Sequence, residues 1–314
     1  MPTEPIQDFI PRRIKDEGLL KLLNDFSELI KESVNFGSHV FKWMLDSVTG
    51  GVENAPLFLS FRRTLELIDS ISLFIKESNV DPCKIILRGI LELVLNIEYI
   101  LERDTEQRSM NFIVWYNHNH IKLYEKMDPN SDAGKKYRNT IKSDKIITKM
   151  KIPDFPHEKA IKNLEALLKK PKYAVAETEY QRIIQLPRRD RRRYTKWYSM
   201  NDGPTNVWEL AKHVELLGLY EILYRNWSGF IHGVDIIEGI LSRAPDGRAE
   251  IIQIRSPRDA QIITNLTISF AIHIIRKYIK HFLPAKESEF TEWYLKEIRN
   301  GFLELLKENY IEVT

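Results

Sequence analysis

The sequence predicts an all-α fold: a helical bundle with a peripheral basic helical insertion and at most one minor β-hairpin. Long stretches carry apolar residues at the three- and four-residue spacing of amphipathic helices, and helix-start signals such as Asp81-Pro82 separate them. With 314 residues, 43% of them hydrophobic, the chain can bury a core without disulfides. Its single cysteine, Cys83, is interpreted as a small core residue.

Residues 1–128 are predicted to supply the N-terminal helices of the bundle. One long helix or two span residues 13–47, and another begins near Pro56. Two more helices are expected over residues 83–103 and 104–128. Each of these segments carries an apolar stripe, so we expect them to pack together in one structural domain.

Residues 129–205 differ in character and are interpreted as the basic insertion. Lysine and arginine dominate there, and prolines bound short helical pieces, of which 158–170 and 174–186 are the clearest. Residues 206–314 return to long helices that complete the bundle. After an Asp246-Gly247 turn signal, the alternation over residues 249–255 predicts one short strand, half of a minor hairpin.

Composition and motifs disfavour several classes of function. The net charge is only +3, so a nucleic-acid partner has to be argued from local clusters of cations. No apolar run resembles a secretory signal or reaches the roughly 20 residues of a membrane span, so we expect a cytoplasmic protein with no membrane partner. His118-Asn119-His120 is a weak metal signal without acidic or cysteine companions, and P-loop and dinucleotide motifs are absent. We therefore expect no metal and no cofactor.

A helix predicted over residues 216–234 is apolar nearly all round but carries a polar stripe. Glu221, Arg225, Ser228 and His232 follow one another at spacings of four, three and four, which places them on one face. A helix that is apolar nearly all round is normally buried, so these polar groups are expected to be partly buried and to need partners.

The helix over residues 83–103 repeats this pattern, with Arg88 and Glu92 on its polar side. We expect the two polar stripes to face each other, so that Arg88 and Glu92 lie near Arg225, Ser228 and His232. One interpretation is a buried ion-pair network that only fixes the helix register. The other is an anion site, because histidine transfers protons near neutral pH and arginine binds phosphate.

Arg225-Asn226 followed by His232 resembles the motif of HEPN domains (higher eukaryotes and prokaryotes nucleotide-binding), in which an arginine, a polar residue and, after four to six positions, a histidine end a helical core. Many HEPN proteins are metal-independent ribonucleases of toxin, CRISPR-linked and phage-defence systems, and they act as dimers. A wider similarity, over roughly residues 50–285, is to an uncharacterised bacterial family with an arginine-glutamate helix like Arg88 to Glu92 and a tyrosine-serine-histidine helix like Tyr220 to His232.

The resemblance implies an endoribonuclease, a toxin or effector in antiviral defence, that forms a homodimer and has a possible antitoxin or other regulatory partner. His232 would move protons, Arg225 would stabilise charge on the phosphate, and Asn226 would orient substrate or histidine. Supporting roles would fall to Ser228, Glu92, Arg88, Tyr224 and Glu221. Two alternatives stay open: a non-catalytic HEPN-like module that binds RNA, a nucleotide or a partner protein, and a different hydrolase that uses Ser228 and His232.

The densest positive run is a second candidate site, for RNA binding. Cations neutralise phosphates and aromatic rings stack on bases, and here Tyr194, Trp197 and Tyr198 accompany the run. The alternative is a solvated loop or a contact to an acidic partner. The predicted RNA-binding residues are Arg188, Arg189, Arg191, Arg192, Arg193 and Lys196.

Overall fold

The computed structural model describes residues 6, 16–47, 50–147, 157–227, 229, 241–243 and 247–307. Over these residues the predicted all-α fold is confirmed, with one two-stranded hairpin beside the helices. The α-helices are α1 (Glu17–Ser47), α2 (Ala55–Lys76), α3 (Pro82–Glu102), α4 (Thr105–Met127), α5 (Asp132–Lys142), α6 (His157–Leu168), α7 (Ala174–Gln185), α8 (Arg188–Arg191), α9 (Val207–His213), α10 (Leu217–Leu219), α11 (Ala260–Phe282), α12 (Glu287–Trp293) and α13 (Arg299–Glu304).

Shorter elements complete the described structure. π-Helices, in which the turn is wider than in an α-helix, span Tyr220–Asn226 and Tyr294–Ile298. Strands β1 (Leu241–Arg243) and β2 (Ala249–Ile251) pair antiparallel, so the predicted strand is present but ends at Ile251. No described helix is both long enough and apolar enough to cross a membrane. The 3-10 helices are Val52–Asn54, Pro171–Tyr173, Trp197–Asp202 and Pro284–Lys286.

The chain forms two compact units. The first comprises Met1–Gly51, Leu57–Leu101 and Ala211–Thr314, and the second comprises Val52–Pro56 and Glu102–Leu210. This differs from the expected single domain with an insertion beginning at residue 129, because α4 belongs to the second unit. Its apolar face packs there against α7 and its neighbours through Met110, Val114, Ile121, Tyr173, Ala176, Tyr180 and Ile183.

The core of the first unit forms between long helices, because their apolar stripes face one another. In α1 the buried positions recur every three or four residues, as in Leu23, Phe26 and Ile30, and α1 packs against α11. Phe61 of α2 lies 4.5 Å from the ring of Tyr278, whose buried hydroxyl donates a hydrogen bond to a backbone carbonyl. This packing holds α11, one of the elements that carry candidate residues.

Candidate functional site

Arg88 of α3 contacts the π-helix Tyr220–Asn226 through Tyr224, which is not one of the residues of the predicted polar stripe. The guanidinium carbon of Arg88 lies 3.7 Å from the centre of the Tyr224 ring, a cation–π contact. The ring of Tyr220 stacks on Tyr224 in turn, with centroids 4.9 Å apart and planes 16° from parallel. The ring of Tyr224 thus covers one face of the Arg88 guanidinium, and Arg88, Tyr220 and Tyr224 form an arginine–tyrosine cluster.

The charge of Arg88 is poorly neutralised within this cluster. Its side chain is only 17% exposed, and its closest ion-pair contact, from Nε to Glu92, measures 4.0 Å. Its Nη1 atom is buried and has no hydrogen-bond partner among the residues that the structure describes. A buried donor that is also charged is costly to leave unpaired. A phosphate or carboxylate oxygen would supply the missing acceptor.

Arg225, a residue of the polar stripe predicted for this segment, lies in solvent. Its side chain is 73% exposed and pairs with Glu221, four residues earlier, at 3.3 Å. The polar residues of the stripe were expected to be partly buried, and for Arg225 this expectation is wrong. Asn226 beside it is also exposed. The reason is that the π-helix buries one narrow side through Leu223, whereas Ile222 is 43% exposed and the segment is not apolar all round.

Tyr220 links the two arginines electrostatically. Burial raises the pKa of its hydroxyl, with smaller contributions in the same direction from Tyr224 and Glu221. The positive charges of Arg225 and Arg88 act on the same hydroxyl in the opposite direction. Both cations therefore act on the same hydroxyl, although the Arg88 side chain is largely covered and the Arg225 side chain is exposed. The sequence analysis did not assign Tyr220 to the site, and its four-residue spacing from Tyr224 is the signal that could have revealed the stack.

The remaining predicted residues divide into described and undescribed positions. His232 and Ser228 lie outside the described residues, so their placement relative to Arg225 stays a prediction. Glu92 is half-exposed and is held loosely to Arg88. The described part of the site is a largely buried arginine, Arg88, against Tyr224, together with an exposed arginine, Arg225, on the same π-helix as that tyrosine. Guanidinium groups are chemically suited to bind an anion such as a phosphate.

The second candidate site, the basic run, is exposed throughout. Arg188–Arg191 form a single helical turn, α8, and all six predicted RNA-binding cations face solvent. Trp197 and Tyr198, however, are 6% and 4% exposed. The expectation that they stack on bases is wrong, because both rings are buried and the indole lies 5.4 Å from Phe112. The run therefore exposes cations that can bind a polyanion, whereas the rings of Trp197 and Tyr198 are not available to stack on bases.

The two histidines of the weak metal signal lie in different surroundings. His118 contacts Glu177 at 2.8 Å and stacks on Tyr180 at 3.8 Å, while His120 lies between Tyr116 and Tyr124. Among the described residues, no group of three or more histidine, cysteine or acidic side chains is arranged to hold a metal ion.

Comparison with known proteins gives one match. The model of a family of unknown function, DUF5677, matches residues 54–247. This range is more than half of the chain and includes Arg88, the π-helix and the basic run. No curated protein and no solved structure matches the chain.

Proposed function

The chain belongs to DUF5677, a family of unknown function, and on the geometry of its site we propose that it is a metal-independent endoribonuclease. The observation that carries the proposal is the guanidinium of Arg88, which lies against Tyr224 and whose buried Nη1 atom has no acceptor among the described residues. A phosphodiester is the anion that the nearby Arg225 and the exposed basic run also favour, because all of them bind phosphate oxygens.

In the proposed reaction a ribose 2′-hydroxyl attacks the adjacent phosphorus. The 2′-oxygen–phosphorus bond forms and the bond from phosphorus to the 5′-oxygen breaks, which leaves a cyclic phosphate and a 5′-hydroxyl. His232 accepts the proton of the attacking hydroxyl, and a proton is returned to the leaving oxygen. Arg225 and Arg88 stabilise the negative charge that grows on the phosphate, and Asn226 orients the substrate.

The resemblance to HEPN domains extends the proposal to a biological role. It supports a cytoplasmic homodimer that acts as a toxin or effector in antiviral defence under the control of an antitoxin or another regulatory protein. Growth arrest on expression in a bacterial host, lost in the His232→Ala variant, is the result expected of such a toxin. Growth unaffected by the wild-type chain under the same conditions would contradict it.

Cleavage of a labelled single-stranded RNA in the presence of EDTA tests the enzymatic proposal. We expect His232→Ala to reduce the rate by about 100-fold or more, the usual contribution of a general acid–base group, and Arg225→Ala to reduce it as well. The matched control is a second arginine–histidine pair with similar spacing, Arg276 and His281 of α11, where Arg276 pairs with Glu287 at 3.2 Å. Alanine at these two positions should leave the rate unchanged.

The same assay separates the rival functions. An RNA that binds but stays uncut by the wild-type protein would favour the non-catalytic module, which the exposed cations of the basic run also support. Cleavage that is lost only in Ser228→Ala would instead favour a hydrolase with a serine nucleophile. Either result would overturn the proposed mechanism.

A further inference from the structure

The first unit contains a cavity of about 210 Å³ that no part of the proposed reaction uses. An apolar cavity of about 150 Å³ is large enough to bind benzene, so this one has room for a ring with a short attached chain. Its apolar wall comes from α3, from residues just before the π-helix and from α11, through Val94, Leu216, Leu219, Leu266 and Phe270.

Ser269 and His273 supply polar groups to this cavity from successive turns of α11. His273 Nε2 lies 2.8 Å from one oxygen of Glu98, and Lys277 donates a hydrogen bond of 2.6 Å to the other. Burial acts to raise the pKa of Glu98, but these hydrogen bonds outweigh it, so the pKa lies below its ordinary 4.5. The ionised carboxylate only accepts hydrogen bonds, which places a hydrogen on Nε2 and leaves Nδ1 of His273 for a ligand.

The charges of Glu98, His273 and Lys277 favour an anionic ligand. With the imidazole protonated, His273 and Lys277 carry two positive charges against the single negative charge of Glu98. One added carboxylate would neutralise the group. A carboxylate bound at Nδ1 favours the protonated imidazole, because the charged ring donates a hydrogen bond there. A neutral apolar molecule would fill the cavity but leave the polar groups without a new partner.

The geometry points to a binding site for a small monocarboxylic acid, with its aromatic or aliphatic body among the leucines and its carboxylate at His273. This site is separate from the proposed ribonuclease chemistry. It adjoins the catalytic segment, however, because Leu219 directly precedes the π-helix. An acid bound there would contact the residues from which the π-helix begins.

Calorimetric titration of the protein at neutral pH tests this site. It compares the affinity for a carboxylate with the affinity for the uncharged alcohol of the same skeleton. The probes are 4-phenylbutyrate and 4-phenylbutanol, which share a skeleton and differ in the head group. We expect the carboxylate to bind at least about tenfold more tightly, the usual worth of a hydrogen bond to a charged group. Equal affinity for the two probes, or heat from neither, would overturn the assignment.

Two variants locate the bound acid. Ser269 is exposed, so Ser269→Trp should block the cavity without disturbing the core, and binding should be lost. Its control is Ser288→Trp, at an exposed serine of α12 away from the cavity. His273→Gln should remove the preference for the carboxylate over the alcohol, whereas His281→Gln on the same helix should preserve it. Unchanged binding in both cavity variants would refute the site, and thermal unfolding of each variant verifies its fold.

Discussion

Replacing Arg88 with methionine distinguishes an anion site from a structural ion pair. Methionine keeps much of the length of the arginine stem and its packing but removes the charge. The change forfeits a cation–π contact worth about 2 kcal/mol when desolvated, and it removes a buried donor whose unpaired state costs about 1–3 kcal/mol. The two effects nearly cancel, so we expect the free energy of unfolding to change by about 1 kcal/mol or less.

The exposure of Glu92, the ion-pair partner of Arg88, supports this small expected change in the free energy of unfolding. Removing one member of a fully buried ion pair costs about 3–5 kcal/mol, because the other charge stays buried and unpaired. Glu92, however, is 49% exposed and lies 4.0 Å away, so water can solvate its carboxylate in the variant. A loss of about 3 kcal/mol or more would therefore show that Arg88 belongs to a closed structural network, and the proposed anion site would be refuted.

Thermal unfolding with and without inorganic phosphate measures both properties. For a unit of about 150–250 residues, 1 kcal/mol corresponds to roughly 2–4 °C in Tm. Wild-type Tm should rise with phosphate concentration, because a ligand that binds only the folded state stabilises it. The rise should be smaller in Arg88→Met. The control Arg276→Met removes an exposed arginine of α11 and should leave both Tm and the phosphate response unchanged, while an equal response in all three proteins would contradict the assignment.

Further expectations concern other groups. The lowered pKa of Glu98 stabilises the fold above pH 4.5, and this stability is lost as pH falls through the lower folded value. Glu98→Gln should therefore unfold more easily than wild type at pH 7, with the difference in Tm narrowing in acid. Gly134→Ala should destabilise the second unit by about 2 kcal/mol or more in denaturant titrations, because the new Cβ would overlap the backbone carbonyl oxygen of Asp128. Glutamine at three exposed arginines should lower the salt slope of single-stranded RNA binding by about 2, roughly 0.7 per cation, without changing Tm. Those arginines are Arg188, Arg189 and Arg192.

The fold class and most helix positions could be predicted because apolar spacing reports directly on which face of a helix is buried. The assignment of α4 could not be predicted in the same way. Its apolar residues, such as Val114 and Ile121, identify a buried face but not the helix that covers it. That partner is α7, which lies about sixty residues later in the chain. Local periodicity carries no information on such distant pairings, so it does not predict that the second unit continues from Glu102.

In the candidate site, too, the sequence pattern predicted which helices meet but not which side chains are buried. The polar stripes of α3 and of the Tyr220 segment predicted that Arg88 would meet the second helix, and its contact with Tyr224 agrees with that prediction. The predicted burial of Arg225 is wrong, because it depends on an α-helix with regular 100° steps. Residues Tyr220–Asn226 form a π-helix instead, and its wider turn changes which side chains face the core.

The unequal exposure of the two arginines fits the binding of an anion whose charge grows during a reaction. Arg88 is already desolvated and held against Tyr224, so little reorganisation is needed when negative charge develops nearby. Arg225 is 73% exposed and is held by Glu221 alone among the described side chains. An exposed pair of this kind, four residues apart on a helix, is worth only about 0.3–0.5 kcal/mol. Transfer of Arg225 from Glu221 to a phosphate oxygen would therefore cost little, and the gain from a charge-assisted hydrogen bond would exceed it.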